Sequence, residues 1–340
     1  MPKHCSMAEA LRDAMREEMR RDETVFLIGE DIGIPKGFGG PFTVTLNLSE
    51  EFGHARIIDT PISEAAIVGA SVGAAMMGMR PVAEVQYGDF VFCAMDQIVN
   101  QAAKMYYMSG GQVKVPMVLR IPVGATGRGA QHGQNTEPYF LQAAGLKVIA
   151  PSNAYDAKGL LKSAIRDDNP VLFFEHKLHY GSKGARKEHN SFDVSSDIPD
   201  EEYLIPLGTA SVRREGKHVT LVGLMRTVYT ALQAAEELVK EGVEAEVIDL
   251  RSLVPLDYET VRASLEKTNR LVTVEESNVC GGWGAELSAQ VMEKAFNLLD
   301  APVIRIGAPN TPVPACPTLE GFYIPSPQKV VAAARQVLYR

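Results

Sequence analysis

Apolar residues recur along this chain with two periods. Leu11, Met15 and Met19 stand four apart behind Ser6-Met7-Ala8-Glu9. That spacing predicts an amphipathic helix opened by a capping box, in which serine and glutamate each satisfy a free backbone amide. Short continuous apolar runs follow at 24–29, 81–87, 117–121, 146–150 and 171–175. Runs of that length, bounded by Gly, Pro and Asp, predict strands buried on both faces. Helices are predicted between them, over 63–79, 94–108 and 153–166, and Ser109-Gly110-Gly111 stops the second. The stretch 179–202 breaks the pattern. It is rich in Gly, Ser, Lys, Asp and Pro and reads as an interdomain linker. The alternation then resumes, with strands at 219–224, 245–250, 271–275 and 303–306 and helices at 227–241, 258–267, 284–298 and 328–339.

Strands alternating with helices predict α/β architecture with two doubly wound parallel sheets. The domains are expected at 1–180 and 205–340, joined by 181–204. No sequence repeat relates them. In such sheets ligands lie beyond the carboxyl ends of the strands. Glu30, Glu64, Phe90 and His132 follow predicted strands and Gln86 lies near the end of one, so this topology is expected to bring them to one edge.

Asp59-Thr60-Pro61-Ile62-Ser63-Glu64 is the most unusual stretch. Thr60-Pro61 turns the chain out of a strand, Ser63 is placed to cap a helix, and Glu64 falls in its first turn. Ala65, Gly69 and Gly73 then share one helix face. Glycine inside a helix costs about 1 kcal/mol relative to alanine, so two of them need a reason. Either this is a tightly packed helix whose glutamate favours its N-terminus, or it holds a catalytic carboxylate at a domain or subunit seam.

Composition narrows the classes. The chain has 340 residues, 46% hydrophobic and 22% charged, as in ordinary globular proteins. A net charge of -8 argues against nucleic-acid binding and suits docking to a basic partner. Cys5, Cys93, Cys280 and Cys316 are far apart and form no C-x-x-C pair, which fits a reducing compartment. No apolar run approaches a membrane span, and the charged N-terminal helix resembles neither a signal nor a transit peptide. The expected location is the cytoplasm, or the mitochondrial matrix if the chain is a mature form. The glycine-rich loops 37–40 and 124–135 match neither G-x-G-x-x-G nor the P-loop. His132, in the second loop, is placed to be an acid/base or substrate contact, or an ordinary loop histidine. His54, His176, His179 and His218 have no comparable context.

Phe26-Leu27-Ile28-Gly29-Glu30-Asp31 and Arg56-Ile57-Ile58-Asp59-Thr60-Pro61-Ile62-Ser63-Glu64 resemble the β subunits of thiamine-diphosphate-dependent 2-oxo acid dehydrogenases. So do Asp96-Gln97-Ile98-Val99-Asn100, Tyr107-Met108-Ser109-Gly110-Gly111 and Ala130-Gln131-His132. Val247-Ile248-Asp249-Leu250-Arg251 through Asp257 is similar to the C-terminal domain of transketolase-like enzymes. The likeness runs in order through nearly the whole chain.

The resemblance implies a thiamine-diphosphate pyrimidine-binding domain followed by a transketolase C-terminal-like domain. Glu64 would hydrogen-bond N1′ of the aminopyrimidine, favouring the tautomer that removes the C2 proton, in a site dried by small residues. Phe90 would supply an aromatic face, Gln86 and Glu30 would line the same pocket, and His132 would be an active-site histidine. Met117, Ala164, Ile165, Asp167 and Asn169 align with a potassium site, and an Asp-Asp-Asn-Pro helix-ending turn is the alternative. The Gly-Asp-Gly segment that anchors the diphosphate through a divalent metal is absent, since Gly88-Asp89 is followed by Phe90. The resemblance therefore implies an α partner carrying Mg2+ and the diphosphate half, an α2β2 assembly, and an acyltransferase whose lipoyl domain accepts the acyl group. Pyruvate is the expected substrate. Glu84 to Phe90 leans towards branched-chain enzymes, and Asn310-Thr311-Pro312-Val313-Pro314 resembles acetoin-cleaving relatives. The rivals are a non-catalytic assembly or docking subunit, in which Glu64 and His132 would not share a cleft, and a transketolase-like transferase without lipoyl chemistry.

Overall fold

The computed structural model describes residues 3–37, 39–181 and 193–339. The fourteen described strands are β1 (Lys3–Cys5), β2 (Val25–Glu30), β3 (Ile57–Thr60), β4 (Arg80–Glu84), β5 (Val118–Val123), β6 (Lys147–Ile149), β7 (Val171–His176), β8 (Ser196–Ile198), β9 (Ser211–Arg214), β10 (Val219–Gly223), β11 (Ala245–Asp249), β12 (Ser252–Val254), β13 (Leu271–Asn278) and β14 (Ile304–Ala308). Seven form a sheet in the order β12-β6-β7-β5-β4-β2-β3, parallel except for β12. The helices Met7–Arg21 and Ala154–Arg166 pack on one face. Glu64–Met76 and the Asp96–Ala102 helix pack on the other. The first helix begins as its sequence predicts: Ser6 N donates to Glu9 Oε2 at 2.9 Å and Glu9 N to Ser6 Oγ at 3.4 Å. Its Leu11, Met15 and Met19 are buried.

The second sheet runs β14-β13-β10-β11-β9, and only β9 is antiparallel. Helices Arg226–Val239 and Pro327–Val337 cover one face, and Tyr258–Thr268 and Trp283–Lys294 the other. The two doubly wound sheets thus stand as expected, each with one antiparallel edge. They share a continuous apolar cluster from Ile67 and Val68 through Leu224 and Ile248 to Leu287.

Several features depart from the sequence reading. β12 comes after β11 of the second sheet yet pairs with β6 of the first, Ser252 opposite Ile149. Residues 182–192 of the expected linker lie outside the described residues. Its remainder packs on the first domain: β8 pairs with β1, Val194 and Ile198 are buried, and Tyr203 stacks on Tyr155 with ring centroids 4.4 Å apart. The helix expected at 94–108 is broken into a 3-10 turn (Gly88–Ala94), a π-helical segment (Asp96–Ala102) and Met105–Met108. Such i→i+5 segments recur at functional sites. Ser63 occupies the cap position of the Glu64 helix, but its side chain makes no capping hydrogen bond.

Candidate active site

The carboxyl edge of the first sheet presents its side chains in strand order. β3, β2, β4 and β5 are successive neighbours, and each leads into one of the expected residues. Glu64 opens the helix after β3, Glu30 ends β2, Gln86 and Phe90 come after β4, and His132 after β5. Glu30 lies opposite Thr60 in the ladder. Burial raises its carboxyl pKa, and the nearby charges of Asp31, Glu64 and Asp59 raise it further. Gln86 Nε2 reaches Asp31 Oδ2 at 3.4 Å, joining the amide to this acidic group. Thr60 Oγ1 is buried with no hydrogen-bond partner among the described residues.

Glu64 itself is half-buried in this chain. The drying expected from its small-residue helix is incomplete, because that face meets little. A Cβ on Gly73 would touch nothing within 4 Å, and one on Gly69 only Gln97 Cγ at 3.4 Å. Ala66, Ala70 and Gly73 are exposed there. Ile62 and Met77 are 76% and 85% exposed. A surface of small and apolar side chains beside the carboxylates is thus left uncovered in this chain.

His132 sits in an aromatic corner. Its ring meets Tyr87 edge-on at 4.9 Å and Phe90 at 5.6 Å. Lys177, 2% exposed, donates through Nζ to the His132 carbonyl. The same ammonium lies 4.9 Å from the centroid of the Tyr87 ring, and Arg128 donates to the Tyr87 hydroxyl at 3.1 Å. Asp89 accepts from Gln134 Nε2 at 2.7 Å, tying the Phe90 turn to the His132 loop. Burial raises the Asp89 pKa, its bond to Gln134 and the charge of Lys177 oppose that rise, and Oδ2 is left without a partner among the described residues.

The His132 loop is also held from the second domain. His176 accepts from Leu178 N at 3.2 Å through Nδ1, so its Nε2–H donates to Glu276 Oε2 at 3.0 Å. Glu276 Oε1 accepts from Ala125 N at 2.8 Å. Burial alone would push the Glu276 carboxyl up, but His176, Arg226 and the Ala125 amide outweigh it and bring it to about 2. Gly124, at φ +100°, lies against this pair: a Cβ there would sit 2.2 Å from His176 Nε2. Gly127 N donates to Glu320 Oε2 at 2.6 Å. Glu137, 1% exposed behind the loop, is pushed up to about 8 by burial.

Sequence reasoning missed Tyr87, Lys177, Asp89, His176 and Glu276 as members of the site's frame. Their long-range hydrogen-bond partners are 41 to 100 residues away. The only local sign was Gly88-Asp89-Phe90 after a strand, and His176, which had no context in sequence, is completely buried. At the expected potassium turn, the Ile165 and Asp167 carbonyls both accept from Arg80 Nη1 at 3.0 Å. The Ala164 carbonyl accepts from Asp167 N and that of Met117 from Val171 N. The Asp167 carboxylate accepts from Asn169 N at 2.8 Å and from Lys147 Nζ. These oxygens suit a hard cation, but a guanidinium and an ammonium already stand among them.

The edge can receive an aminopyrimidine. It offers a carboxylate to share a proton with a ring nitrogen, an orphaned hydroxyl, an amide and an aromatic face. It does not suit a diphosphate: no described Lys or Arg pairs with Glu30, Asp31, Asp59 or Glu64, and four carboxylates repel an anion.

Comparison with known proteins matches both domains. The family model of the transketolase pyrimidine-binding domain matches residues 3–183, and that of the transketolase C-terminal domain matches 208–330. The chain belongs to the transketolase-like family of two-domain proteins that these models define, as a relative of its E1 β subunits. It is 47% identical to pyruvate dehydrogenase E1 component subunit beta, mitochondrial, of Dictyostelium discoideum, over 99% of this chain and 92% of that protein. It is 45% identical to the acetoin:2,6-dichlorophenolindophenol oxidoreductase subunit beta of Bacillus subtilis, over 99% and 98%. It is 42% identical to the 2-oxoisovalerate dehydrogenase subunit beta of the same organism, over 98% of each. The fold is also that of a solved split-gene transketolase described as an inactive β4 tetramer, with a TM-score of 0.77 and 24% identity over 99% of both chains. No helix among the described residues is long and apolar enough to cross a membrane.

Proposed function

We propose that this chain is the β subunit of an α2β2 2-oxo acid dehydrogenase, active on pyruvate. The observation that carries this reading is the ordered edge Glu64–Glu30–Gln86–Phe90–His132, which suits the pyrimidine half of thiamine diphosphate and lacks the basic half. When bound, the cofactor supplies a nucleophilic carbon that cleaves the bond beside the 2-oxo group. Glu64 holds a proton at the ring nitrogen, and Glu30, whose carboxyl pKa is raised by burial and by the charges of Asp31, Glu64 and Asp59, lines the same edge. Phe90 packs on the ring. His132, fixed by Tyr87, Phe90 and Lys177, faces substrate as the acid/base group. The α subunit brings Mg2+ and the diphosphate site and covers the Gly69/Gly73 face. The domains run 1–180 and 205–340.

The net reaction consumes a 2-oxo acid, a proton and a lipoyl disulfide. The bond to the carboxylate breaks and releases carbon dioxide. The acyl carbon bonds one sulfur, the S–S bond breaks, and the other sulfur takes the proton. The acceptor is a lipoyl domain on a dihydrolipoyl acyltransferase. The four unpaired cysteines favour a reducing compartment, the cytoplasm or, for a mature form, the mitochondrial matrix.

A second substrate reading, acetoin, is favoured by Asn310-Thr311-Pro312-Val313-Pro314 and by the near-full-length acetoin relative. Co-expression with its α-type partner, then dye-coupled assays on pyruvate, branched 2-oxo acids and acetoin, decides between them. A stable complex inactive on all of them sinks the reading, as does Glu64→Gln with native turnover and cofactor affinity. A potassium ion shared with Arg80 at the Asp167 turn predicts a higher melting temperature in KCl than in equimolar NaCl. Equal melting removes the ion from the proposal.

A further inference from the structure

The glycine-rich loop after β2 is wound tightly against the first sheet. Gly39 and Gly40 have φ of +71° and +75°, and a Cβ on Gly39 would lie 2.1 Å from Leu46 N. Gly40 passes close to Glu84, whose Oε1 would be 3.1 Å from a Cβ there. The loop is tied at several points. Gly40 N donates to the Asp31 carbonyl at 3.0 Å, and Thr45 Oγ1 to that of Ile32 at 2.9 Å. Arg12, on the first helix, donates through Nε to the Val44 carbonyl at 3.0 Å and through Nη2 to that of Thr43. These ties bracket Phe42, which is buried.

Phe42 touches two rings. It stacks on Tyr180, with centroids 4.8 Å apart and an interplanar angle of 20°, and it meets Tyr87 edge-on at 5.9 Å. Tyr180 is anchored to the sheet. Its hydroxyl donates to Glu175 Oε2 at 2.6 Å. Arg120 grips the same carboxylate with two donors, Nε at 2.8 Å and Nη2 at 2.6 Å, and donates through Nη1 to Glu84. All four side chains are buried, and Glu84, Arg120 and Glu175 stand on the adjacent strands β4, β5 and β7. A two-pronged guanidinium–carboxylate contact fixes direction as well as distance, so Tyr180 gives Phe42 a fixed backing. Tyr87 bears the site: its ring meets Phe90 edge-on at 5.4 Å and His132 at 4.9 Å. Edge-on aromatic contacts have a definite preferred geometry, so a flat ring packed against Tyr87 helps to set where Phe90 and His132 rest.

We propose that Phe42 is a positioning residue of the active site, which acts through Tyr87 to hold His132 and Phe90 in register and takes its own position from the buried network that ends in Tyr180. The assignment rests on the reading of His132 and Phe90 as the substrate-facing and cofactor-facing groups. Phe42 supplies no reacting group.

The test uses the assembled, cofactor-loaded α2β2 enzyme. Phe42→Leu keeps an apolar side chain but loses the flat ring. Dye-coupled kcat should fall about tenfold, while the KM for the 2-oxo acid and the affinity for thiamine diphosphate stay within about threefold. With Tyr87→Leu already present, Phe42→Leu should lower kcat by less than about twofold more, because the route through Tyr87 is gone. A role in packing alone would give losses that multiply. Unchanged kcat in Phe42→Leu, or multiplying losses in the double variant, overturns the proposal. Should Phe42→Leu fail to assemble, Phe42→Met takes its place under the same outcomes. A second measurement needs no turnover. Carbethoxylation of His132 by diethylpyrocarbonate, read by peptide mass spectrometry with the exposed His54 as control, should be at least about threefold faster in the Phe42 variant than in wild type. An equal rate overturns the proposal, and this labelling decides where Tyr87→Leu does not assemble. Absence of wild-type activity on every substrate overturns the parent reading instead, and the labelling then tests the placement of His132 by itself.

Discussion

Glu137 should make the protein less stable in mild alkali, and Glu137→Gln should remove much of that weakness. Glu137 is 1% exposed, one oxygen meets the Asn135 amide at 3.4 Å, and the other has no partner among the described residues. Burial pushes its pKa from the ordinary 4.5 to about 8. A carboxyl raised in the folded state holds its proton there longer than in the unfolded chain. Its stability contribution is therefore complete below pH 4.5 and is lost as pH rises through 8. At about 1.4 kcal/mol per unit, the shift corresponds to a ceiling of roughly 5 kcal/mol. Glu275, raised by burial to about 7, titrates in the same window and remains in the variant, so the slope should shrink without vanishing. A glutamine keeps the shape and can still accept from Asn135. The two proteins should match within about 1 kcal/mol at pH 5, while the variant should be the more stable by roughly 3 kcal/mol or more at pH 9. With an unfolding entropy near 2.1 cal/mol/K per residue, that difference is at least roughly 4 °C in Tm for a chain of this size. Differential scanning fluorimetry across this pH range reads it directly. Parallel Tm curves, offset equally at both ends, would refute the reasoning.

The site's frame yields three further outcomes. Gly73→Leu should stabilise the isolated chain by up to about 1 kcal/mol, because its Cβ meets nothing and the helix gains propensity, yet block α-subunit binding in size-exclusion chromatography. Gly124→Ala should destabilise by about 3 kcal/mol or more, read by urea unfolding, since its Cβ collides with His176 Nε2 at a φ of +100°. Lys177→Met should lower kcat about tenfold while leaving assembly and cofactor affinity intact, because it frees the His132 carbonyl and removes the cation that faces Asp89; an unchanged kcat would show that Lys177 does not position His132.

Much of the candidate edge was legible in the sequence for a physical reason. In a parallel sheet, the residues past each strand's carboxyl end lie on one edge, so the strand pattern put Glu30, Glu64, Gln86, Phe90 and His132 at that edge, while their roles came only from the resemblance. The capping box at Ser6 and Glu9 was legible because its partners are three residues apart. The missing Gly-Asp-Gly implied half of a cofactor site only through the resemblance.

Tertiary structure decided what depends on distant partners. No local pattern could show that Lys177 would reach the His132 carbonyl or that His176 would pair with Glu276 across the domain boundary. Nor could it show that Ser252–Val254 would cross to the first sheet, since three residues carry too little periodicity to declare a strand, let alone its partner. The pKa rises at Glu30 and Glu137 are also tertiary, because desolvation depends on what the fold brings around a carboxyl and not on its neighbours in sequence. The Gly69/Gly73 face shows both sides of this. Its spacing was written in the sequence, but only the folded chain shows it uncovered, beside a carboxylate that its own domain leaves half in water.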